Sequence, residues 1–309
     1  MSFLITGSNG FVGKHLIQKL SSKGSDVFAL YRNKLDSKVD GVLYKKIDLN
    51  NVQSLKKYLN QFKPKNIIHL AADSSVAFSW EHPIKSFNNN MNIYLNLIDA
   101  VRQSKINPII LSIGSSEVYG KVEKGCIPLK ENNKLNPINP YSVARVSQEL
   151  ISDVYCKAYG LTIIKTRSFN HLGVGQDSRF FVPSVIKQLL EIKSSNLKLG
   201  NLDIIRDFLD VEDVVDAYLD LIKYGITGEV YNVCSGTGYS LNKIVKNVMN
   251  ITNIKKPIIL NKSKIRPVDN PIIVGDNSKL RLLNNWKPKI DLDLSIKKMI
   301  EFEKASRFI

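Results

Sequence analysis

A glycine triplet close to the amino terminus constrains the fold of this chain more than any other feature. Gly7, Gly10 and Gly13 have the spacing GxxGxxG, directly after the apolar run 2–6 and at the start of a helical pattern. In such a turn the first glycine permits a tight bend, the second lets the backbone approach a pyrophosphate, and the third lets the helix pack closely. The free amides at the start of the helix then attract the anion. The triplet therefore predicts a strand–turn–helix unit that binds a dinucleotide.

Short apolar runs alternate with longer amphipathic segments through the first half of the chain. The runs predict strands at 2–6, 27–31, 43–47, 66–70, 108–113 and 162–167, and the segments predict helices that include 11–23, 52–62, 84–104 and 141–159. Strand and helix in repetition indicate parallel βαβ units. The expected fold class is α/β, a Rossmann-type doubly wound parallel sheet with a smaller C-terminal α/β lobe for the substrate.

After residue 167 the alternation loosens into a loop at 168–179 and a helix at 182–193. We assign residues 1–167 plus about 202–236 to a dinucleotide-binding domain, and about 168–201 plus 237–309 to a substrate lobe. Ligands of such sheets bind at the carboxyl ends of the strands, so chemistry is expected in the loops that follow them.

The net charge of +16, from 44 basic and 28 acidic residues, raises nucleic acid as a partner. The lysines come singly or in pairs such as Lys45-Lys46, however, which indicates a solvated surface. No apolar stretch approaches the roughly 18 residues of a membrane span, and no signal-peptide pattern precedes the first strand. Three dispersed cysteines suit a reducing compartment. We therefore expect a cytoplasmic protein with neither nucleic acid nor membrane as a partner.

The end of the second predicted strand indicates which dinucleotide is preferred. NAD-binding folds usually carry an acidic residue there, but this chain has Arg32 and no acidic residue until Asp36. An arginine can bind a 2′-phosphate with two hydrogen bonds, which favours NADP(H), with NAD(H) as the alternative. Asp48, after the third strand, either caps the next helix or reaches the adenine amine. His69 is expected in the core or at the edge of the cofactor.

Tyr141 and Arg145 are spaced i, i+4, which puts them on one face of a predicted helix. A guanidinium stabilises a phenolate beside it, so the tyrosine can exchange a proton with a substrate hydroxyl or carbonyl. Such a pair alone fits packing better than catalysis. The loop after the fifth strand changes this balance, because it adds the hydroxyls of Ser115 and Ser116 and the carboxylate of Glu117.

Taken together, these motifs resemble those of the extended short-chain dehydrogenase/reductases that act on nucleotide sugars. The resemblance covers essentially the whole chain and rests on Thr6-Gly7…Gly10-Phe11-Val12-Gly13, His69-Leu70-Ala71-Ala72, Ser115-Ser116-Glu117-Val118-Tyr119-Gly120 and Asn139-Pro140-Tyr141. Segments downstream resemble the GDP-sugar subgroup, above all its GDP-4-keto-6-deoxy-mannose reductases: Arg167-Ser168-Phe169-Asn170-His171, Gly200-Asn201-Leu202-Asp203, Arg206-Asp207-Phe208 and Arg266-Pro267.

The resemblance implies a reaction and roles for the catalytic residues. Hydride from the dinucleotide reduces the C4 ketone of a GDP-4-keto-6-deoxy-hexose, giving a product such as GDP-D-rhamnose for surface polysaccharide synthesis. Tyr141 donates the proton and Ser115 hydrogen-bonds the sugar carbonyl. The family carries a lysine where this chain has Arg145. Arginine keeps the charge but is a longer, planar group, and we expect it to serve.

Several alternatives stay open. Glu117 matches the glutamate by which related dehydratases remove a proton from C5, so a GDP-mannose 4,6-dehydratase or a 4-epimerase remains possible. A reductase of another GDP-keto-sugar, 6-deoxy-talose or a heptose, is a further alternative. An NADP-binding regulator without turnover is the alternative outside the enzymes.

The motifs and the resemblance together assign the remaining site residues. Cofactor contacts are expected from Gly7, Asn9, Gly10, Phe11, Val12, Arg32, Asp48, Leu49, Leu70, Ala71, Ala72, Asn90, Tyr141 and Arg145. Substrate contacts are expected from Ser74, Ser115, Ser116, Asn170, His171, Val182, Asn201, Arg206 and Arg266. No metal site is expected, because the aspartates at 207, 210 and 213 beside Arg206 fit ion pairing and helix capping. In this family, helices such as 84–104 and 141–159 pair across a two-fold axis, which implies a homodimer with a four-helix interface.

Overall fold

The described chain alternates strands and helices over most of its length. The computed structural model describes residues 1–123, 125–192, 194–265 and 268–307. Its strands are β1 Ser2–Thr6, β2 Asp26–Tyr31, β3 Leu43–Lys46, β4 Asn66–His69, β5 Ile109–Ile113, β6 Ile163–Ser168, β7 Asn170–Leu172, β8 Leu197–Leu199, β9 Ile205–Asp210, β10 Val230–Val233, β11 Gly238–Ser240, β12 Ile258–Leu260 and β13 Ile272–Ile273. Its α-helices are α1 Phe11–Ser22, α2 Val52–Phe62, α3 Val76–Glu81, α4 Pro83–Gln103, α5 Pro140–Tyr159, α6 Phe181–Leu190, α7 Val211–Tyr224, α8 Leu241–Thr252, α9 Ser278–Asn284 and α10 Leu292–Ala305. Two short 3₁₀ helices span Ser116–Tyr119 and Lys262–Lys264.

Seven of the strands form one parallel sheet in the order β10-β6-β5-β4-β1-β2-β3. The predicted fold class is therefore confirmed, and each of the six predicted strands lies in this sheet with its ends within one residue of the predicted bounds. The strand order reverses between β1 and β4. A crevice opens at such a point because the connections leave the sheet toward opposite faces.

The apolar pattern explains why both faces of the sheet are covered. On one face, α1 contributes Leu16 and Leu20 to a buried cluster with Val214 and Leu221 of α7. On the other face, helices α2, α4 and α5 pack over strands whose side chains are buried on both sides. Parallel strands read as nearly continuous apolar runs for this reason. The two helical layers hold the strand ends, and hence the loops of the site, in fixed positions.

The remaining strands build a smaller region beside the large sheet. Strands β11, β9 and β13 pair in that order with β7 at the side, and β12 pairs with β8. Helices α6, α8 and α10 cover a separate buried cluster that includes Val185, Ile244 and Ile296. Strand β9 belongs to this small sheet, whereas the next helix, α7, packs on the large one. The domain boundaries stay a prediction.

Two local expectations needed correction. The predicted loop at 168–179 begins inside β6 and contains β7. The predicted helix at 182–193 is α6, which begins at Phe181 and ends at Leu190, because Glu191 is in an extended conformation; residue 193 lies outside the described residues. None of the described helices is both long and apolar enough to cross a membrane.

Candidate active site and cofactor groove

The turn between β1 and α1 has no space for side chains at two of its glycines. Gly7 has a φ of +69°, and a Cβ on it would lie 2.7 Å from the backbone nitrogen of Ala71. A Cβ on Gly13 would lie 2.5 Å from the carbonyl oxygen of Gly7. These contacts confirm the tight bend and the close packing expected of Gly7 and Gly13. Gly10 caps α1 without a side-chain hydrogen bond, which leaves the first-turn amides available to an anion.

A groove opens at the carboxyl ends of β1, β2 and β4, where the strand order reverses. It is lined by Gly7, Leu30, Tyr31, Arg32, Ile47, Asp48, Leu49, Ala71, Ala72, Asp73, Asn89 and Ile93. The structure thus brings six predicted cofactor residues together: Gly7, Arg32, Asp48, Leu49, Ala71 and Ala72. Asp73 and Asn89 were missed by sequence reasoning, and they hydrogen-bond each other at 2.8 Å. The run of three asparagines at 88–90 was the available signal.

Asn9 connects the glycine turn to the segment that follows β2. Its amide nitrogen donates to the carbonyl oxygen of Lys34 at 2.9 Å, and its amide oxygen accepts from the backbone nitrogen of Asp36. Asp36 in turn pairs with Lys14 of α1, and the Lys14 ammonium lowers the pKa of that carboxyl. Arg32 lies exposed between these anchors at the end of β2.

Asp48 does not cap the helix that follows it. The cap of α2 is Asn51, whose side chain accepts from the backbone nitrogen of Ser54. Asp48 instead accepts from the backbone nitrogen of Asn50 at 2.9 Å and remains exposed at the groove. The capping interpretation was wrong because Asn51, directly before the first helical residue, already supplies the oxygen.

The loop after β4 is attached to β1 on one side and to α4 on the other. The backbone nitrogens of Leu70 and Ala71 donate to the carbonyl oxygen and the hydroxyl of Thr6. Asn90 accepts from the backbone nitrogen of Asp73 at 2.8 Å and donates to its carbonyl oxygen at 3.2 Å. Asn90, buried beneath the loop, therefore supports it, whereas its neighbour Asn89 lines the groove.

Tyr141 lies in the first turn of α5, and both it and Arg145 are buried. The turn is held by a capping box: the Asn139 side-chain oxygen accepts from the backbone nitrogen of Ser142, and the Ser142 hydroxyl accepts from the backbone nitrogen of Asn139. One turn along, the guanidinium carbon of Arg145 lies 5.0 Å from the centroid of the Tyr141 ring. The i, i+4 spacing thus places a positive charge over the Tyr141 ring, on the helix face that the sequence predicts.

The loop after β5 brings the predicted hydroxyls and carboxylate beside that helix. The Ser115 hydroxyl accepts from the backbone nitrogen of Glu117 and caps the 3₁₀ helix Ser116–Tyr119. The Glu117 carboxylate accepts from the Asn139 side chain at 3.1 Å. Helix α5 also packs against this 3₁₀ helix. Ser115, Ser116, Glu117 and Tyr141 therefore belong to one small region at the carboxyl end of β5.

His69, which is buried, and His171, which is half-buried, are both neutral at ordinary pH. Burial, with a smaller contribution from the positive charge of Arg145, lowers the pKa of His69 to about 3. The Nδ1 atom of His69 lies 2.9 Å from the Thr6 hydroxyl, as expected of a core histidine. Burial also lowers the pKa of His171 to about 4, and its Nε2 atom lies 3.4 Å from the Tyr218 hydroxyl. Neither ring supplies a positive charge to the site.

The other predicted substrate residues are spread over both parts of the molecule. Ser74 is exposed in the loop before α3, Asn170 is exposed and donates to the carbonyl oxygen of Asp207, and Asn201 accepts from the backbone nitrogen of Asp203. The Val182 side chain is buried in the apolar cluster beneath α6. Arg206 pairs with Asp269 at 2.5 Å. Arg266 lies outside the described residues.

The aspartates near Arg206 are used differently from one another. Asp207 accepts from the backbone nitrogens of Ser235 and Gly236, so its expected ion pair with Arg206 was wrong. The Asp207 carboxylate is buried beneath the turn at Ser235 and Gly236, so it hydrogen-bonds the backbone amides of that turn. Asp210 caps α7, which confirms the expected helix capping.

Comparisons with known proteins extend over nearly the entire chain. Residues 4–299 match the family model described as GDP-mannose 4,6 dehydratase. A GDP-6-deoxy-D-mannose reductase from Pseudomonas aeruginosa is 30% identical over 96% of this chain and 95% of its own length. A GDP-6-deoxy-D-talose 4-dehydrogenase from Aggregatibacter actinomycetemcomitans is 33% identical over 91% of this chain and 90% of its own.

Solved structures give the same picture of the backbone. RMD from Pseudomonas aeruginosa complexed with NADPH superposes with a TM-score of 0.86 at 28% identity, covering 99% of this chain and 100% of that one. A UDP-glucose 4-epimerase from Thermus thermophilus in complex with NAD superposes with a TM-score of 0.90 at 25% identity, with the same coverage. Both phosphorylated and unphosphorylated nicotinamide dinucleotides thus occur among the similar structures.

Proposed function

The chain belongs to the GDP-mannose 4,6-dehydratase family of extended short-chain dehydrogenase/reductases, and from that membership we propose that it is an NADP(H)-dependent reductase of a GDP-4-keto-6-deoxy-hexose. The observation that carries the proposal is the Arg145 guanidinium 5.0 Å from the Tyr141 ring, beside the Ser115 loop. A tyrosine next to a fixed cation can give its proton to a carbonyl oxygen and keep the resulting charge stabilised.

The groove fits a nicotinamide dinucleotide. The amides at the start of α1 receive no side-chain cap, so they can take the pyrophosphate. Leu49, Ala71 and Ala72 give the groove apolar walls, and Arg32 stands at its exposed edge. In α5, the buried Nε atom of Arg145 has no hydrogen-bond partner among the described residues, which suits a donor awaiting a ribose hydroxyl.

The protein's own groups would act on the sugar carbonyl as follows. The bound cofactor, when reduced, supplies hydride to C4. The Tyr141 hydroxyl gives its proton to the carbonyl oxygen, so that the ketone becomes a hydroxyl, and Arg145 stabilises the phenolate that remains. Ser115 donates a hydrogen bond to the same oxygen and orients it. Burial of Tyr141, Ser115 and Arg145 excludes water and strengthens these interactions.

We take GDP-4-keto-6-deoxy-mannose as the substrate and GDP-D-rhamnose as the product. The two relatives that act on GDP-6-deoxy sugars support the nucleotide and the deoxygenated C6. Because one of them is named for 6-deoxy-talose, the opposite configuration at C4 is the alternative product. Arg206 and Arg266 are proposed to bind the diphosphate, and Asn170 and His171 to line the sugar pocket.

The proposal is tested by mixing the purified protein with NADPH and freshly prepared GDP-4-keto-6-deoxy-mannose. Absorbance of the reduced nicotinamide should fall only when the protein and the keto sugar are both present. No oxidation with either NADPH or NADH would reject the reductase. Oxidation of NADPH in the absence of the sugar would indicate a reaction that is not reduction of the keto sugar.

Arg32 is proposed to select the phosphorylated cofactor. Replacing it by alanine in Arg32→Ala removes the group that would bind the 2′-phosphate, so the ratio of kcat/KM for NADPH to that for NADH should fall about 10- to 100-fold. Arg281→Ala, which removes another exposed arginine, is the matched control and should leave the ratio unchanged. An unchanged ratio in Arg32→Ala would remove the basis for preferring NADP(H).

Glu117 is the reason to test a second function, that of a 4,6-dehydratase or an epimerase. Its carboxylate accepts a hydrogen bond from the side chain of Asn139, two residues before Tyr141, so it lies near the proposed proton donor. A 4,6-dehydratase or an epimerase would use a base in this region. GDP-mannose with catalytic NADP⁺ should give no keto sugar if the reductase proposal is right, whereas accumulation of a 4-keto product would favour the dehydratase.

We propose a homodimer built from α4 and α5. Val143, Leu150 and Val154 form an exposed apolar stripe on α5, and Leu95 is partly exposed on α4. Leu150→Glu should raise the dimer dissociation constant about 30-fold or more, as for an interface hot spot, and light scattering after gel filtration measures this. Leu282→Glu, at an exposed leucine of α9, should leave the dimer intact. A wild-type monomer at micromolar concentration would contradict the proposal.

The domain division and the compartment are also proposed. We propose that residues 1–167 with about 202–236 bind the dinucleotide and that the remainder binds the GDP-sugar. The described cysteines are all free thiols, which suits activity in a reducing cytoplasm.

A further inference from the structure

Gln148 lies buried three residues after Arg145, with 2% of its side chain exposed. Its amide oxygen accepts from Nη1 of Arg145 at 2.5 Å. Its amide nitrogen donates to the Ser112 hydroxyl at 2.7 Å and to the carbonyl oxygen of Ile113 at 3.1 Å. Because a guanidinium can only donate and a backbone carbonyl can only accept, this orientation of the amide is the one its partners allow.

The two anchors of the guanidinium use the same nitrogen. Nη1 of Arg145 donates to Gln148 and also to the carbonyl oxygen of Ile113, at 3.3 Å, so α5 is tied to the end of β5 through this atom. Nε, buried and unpaired among the described residues, and Nη2 remain available for other acceptors. The guanidinium is planar and rigid, and fixing one nitrogen restricts where the other two point.

An arginine needs this restriction more than a lysine does. Arginine has a longer side chain, and its planar group binds well only in one orientation, whereas an ammonium is a compact charge with freely rotating donors. Without Gln148, the Ile113 carbonyl alone would hold the guanidinium over the Tyr141 ring. Gln148 thus links Arg145 to Ser112 and Ile113 of β5, and we call this set of hydrogen bonds the tether. It fixes the cation to the same strand whose following loop carries Ser115.

We propose that Gln148 is a positioning residue that holds Arg145 over Tyr141 and enables an arginine to serve at this place in the helix. The proposal rests on the proposed function for its kinetic consequence, but the tether itself is a statement about Arg145 and Gln148. A positioning role differs from a purely structural one in its dependence on residue 145. If Gln148 only stabilised α5, its loss would have the same effect with lysine as with arginine at position 145.

The test is a double-mutant cycle of the full-length protein: wild type, Gln148→Ala, Arg145→Lys and the combination. Gln148→Ala should lower kcat about 10- to 100-fold, the effect of a mispositioned catalytic cation, with KM for the keto sugar within about twofold. In the Arg145→Lys background the same substitution should change kcat less than about twofold, because lysine does not depend on the tether. Equal losses in both backgrounds would overturn the proposal.

A readout that needs no turnover separates this proposal from the proposed function. The dissociation constant of NADPH, from fluorescence titration, should rise about threefold or more in Gln148→Ala and stay unchanged by that substitution in the lysine background. Absence of reduction with a strong coupling in NADPH binding would reject the substrate and retain the tether. Additive effects on NADPH binding would overturn the tether.

Folding defects are controlled by two further variants. Gln148→Met keeps the length of the side chain but removes both polar ends, so it should reproduce the effect of Gln148→Ala if the alanine variant folds poorly. Thr252→Ala removes a buried hydroxyl that donates to the carbonyl oxygen of Val248, far from the site. It should leave kcat and NADPH binding unchanged; a loss like that of Gln148→Met would assign the effect to general destabilisation and overturn the proposal.

Discussion

Tyr141→Phe should lower the rate of NADPH oxidation about 10²- to 10⁴-fold, the contribution of a well-placed general acid. Phenylalanine keeps the ring over which the Arg145 guanidinium lies, at 5.0 Å, so the packing at the start of α5 is retained. The hydroxyl is the only group lost, and with it the proton that the proposed mechanism transfers to the sugar oxygen. NADPH binding should change no more than about threefold, the loss of one hydrogen bond.

Stopped-flow or steady-state absorbance with the keto sugar measures this effect. Tyr159→Phe is the matched control, because Tyr159 ends the same helix, is exposed, and has its ring against Arg102 rather than Arg145. The control should keep wild-type kcat. A Tyr141→Phe protein with full activity would assign the proton to another group and contradict the mechanism.

Glu149→Ala should lower the free energy of unfolding by about 3–5 kcal/mol, because it leaves a buried charge without its partner. Glu149 accepts two hydrogen bonds from Arg167, at 2.9 and 2.8 Å, and both side chains are less than a tenth exposed. The guanidinium also donates to the carbonyl oxygen of Glu131 and lies 4.8 Å from the Tyr119 ring centroid. The pair thus joins α5 to β6 directly beneath the site.

Urea unfolding followed by circular dichroism gives the difference. Lys298→Ala breaks an exposed ion pair with Glu212 and should change the free energy of unfolding by less than about 1 kcal/mol. A Glu149→Ala protein as stable as Lys298→Ala would mean that water or another group satisfies Arg167. In that case the pair would not be what fixes α5 on the sheet.

The large sheet could be predicted from sequence because its signal is local. Strands such as β1, β2 and β4 are buried, mostly apolar runs, and the glycine turn needs only Gly7, Gly10 and Gly13 to be recognised. The short strands β7 and β13, with three and two residues, have too few positions for a periodic pattern. They form because β9 offers them a partner distant in sequence.

The site was predictable in its residue types and less so in its contacts. The Tyr141 and Arg145 pair follows from helical spacing, but the bond between Arg145 and Gln148 depends on side-chain directions that spacing leaves open. Arg206 pairs with Asp269, 63 residues away, rather than with the aspartate beside it. Position in sequence does not determine such partners, because folding brings distant loops together.

The most direct test of the central claim is the transfer of deuterium to the sugar from NADPH that carries deuterium at both positions of the nicotinamide C4. The protein is incubated with labelled NADPH and GDP-4-keto-6-deoxy-mannose, and the product is examined by proton NMR. The account predicts a GDP-6-deoxy-hexose with deuterium at C4 of the sugar. The coupling constants of H4 in the product made with unlabelled NADPH then assign the configuration. Unchanged keto sugar, or a product without deuterium at C4, would contradict the assignment of this protein as a C4 reductase.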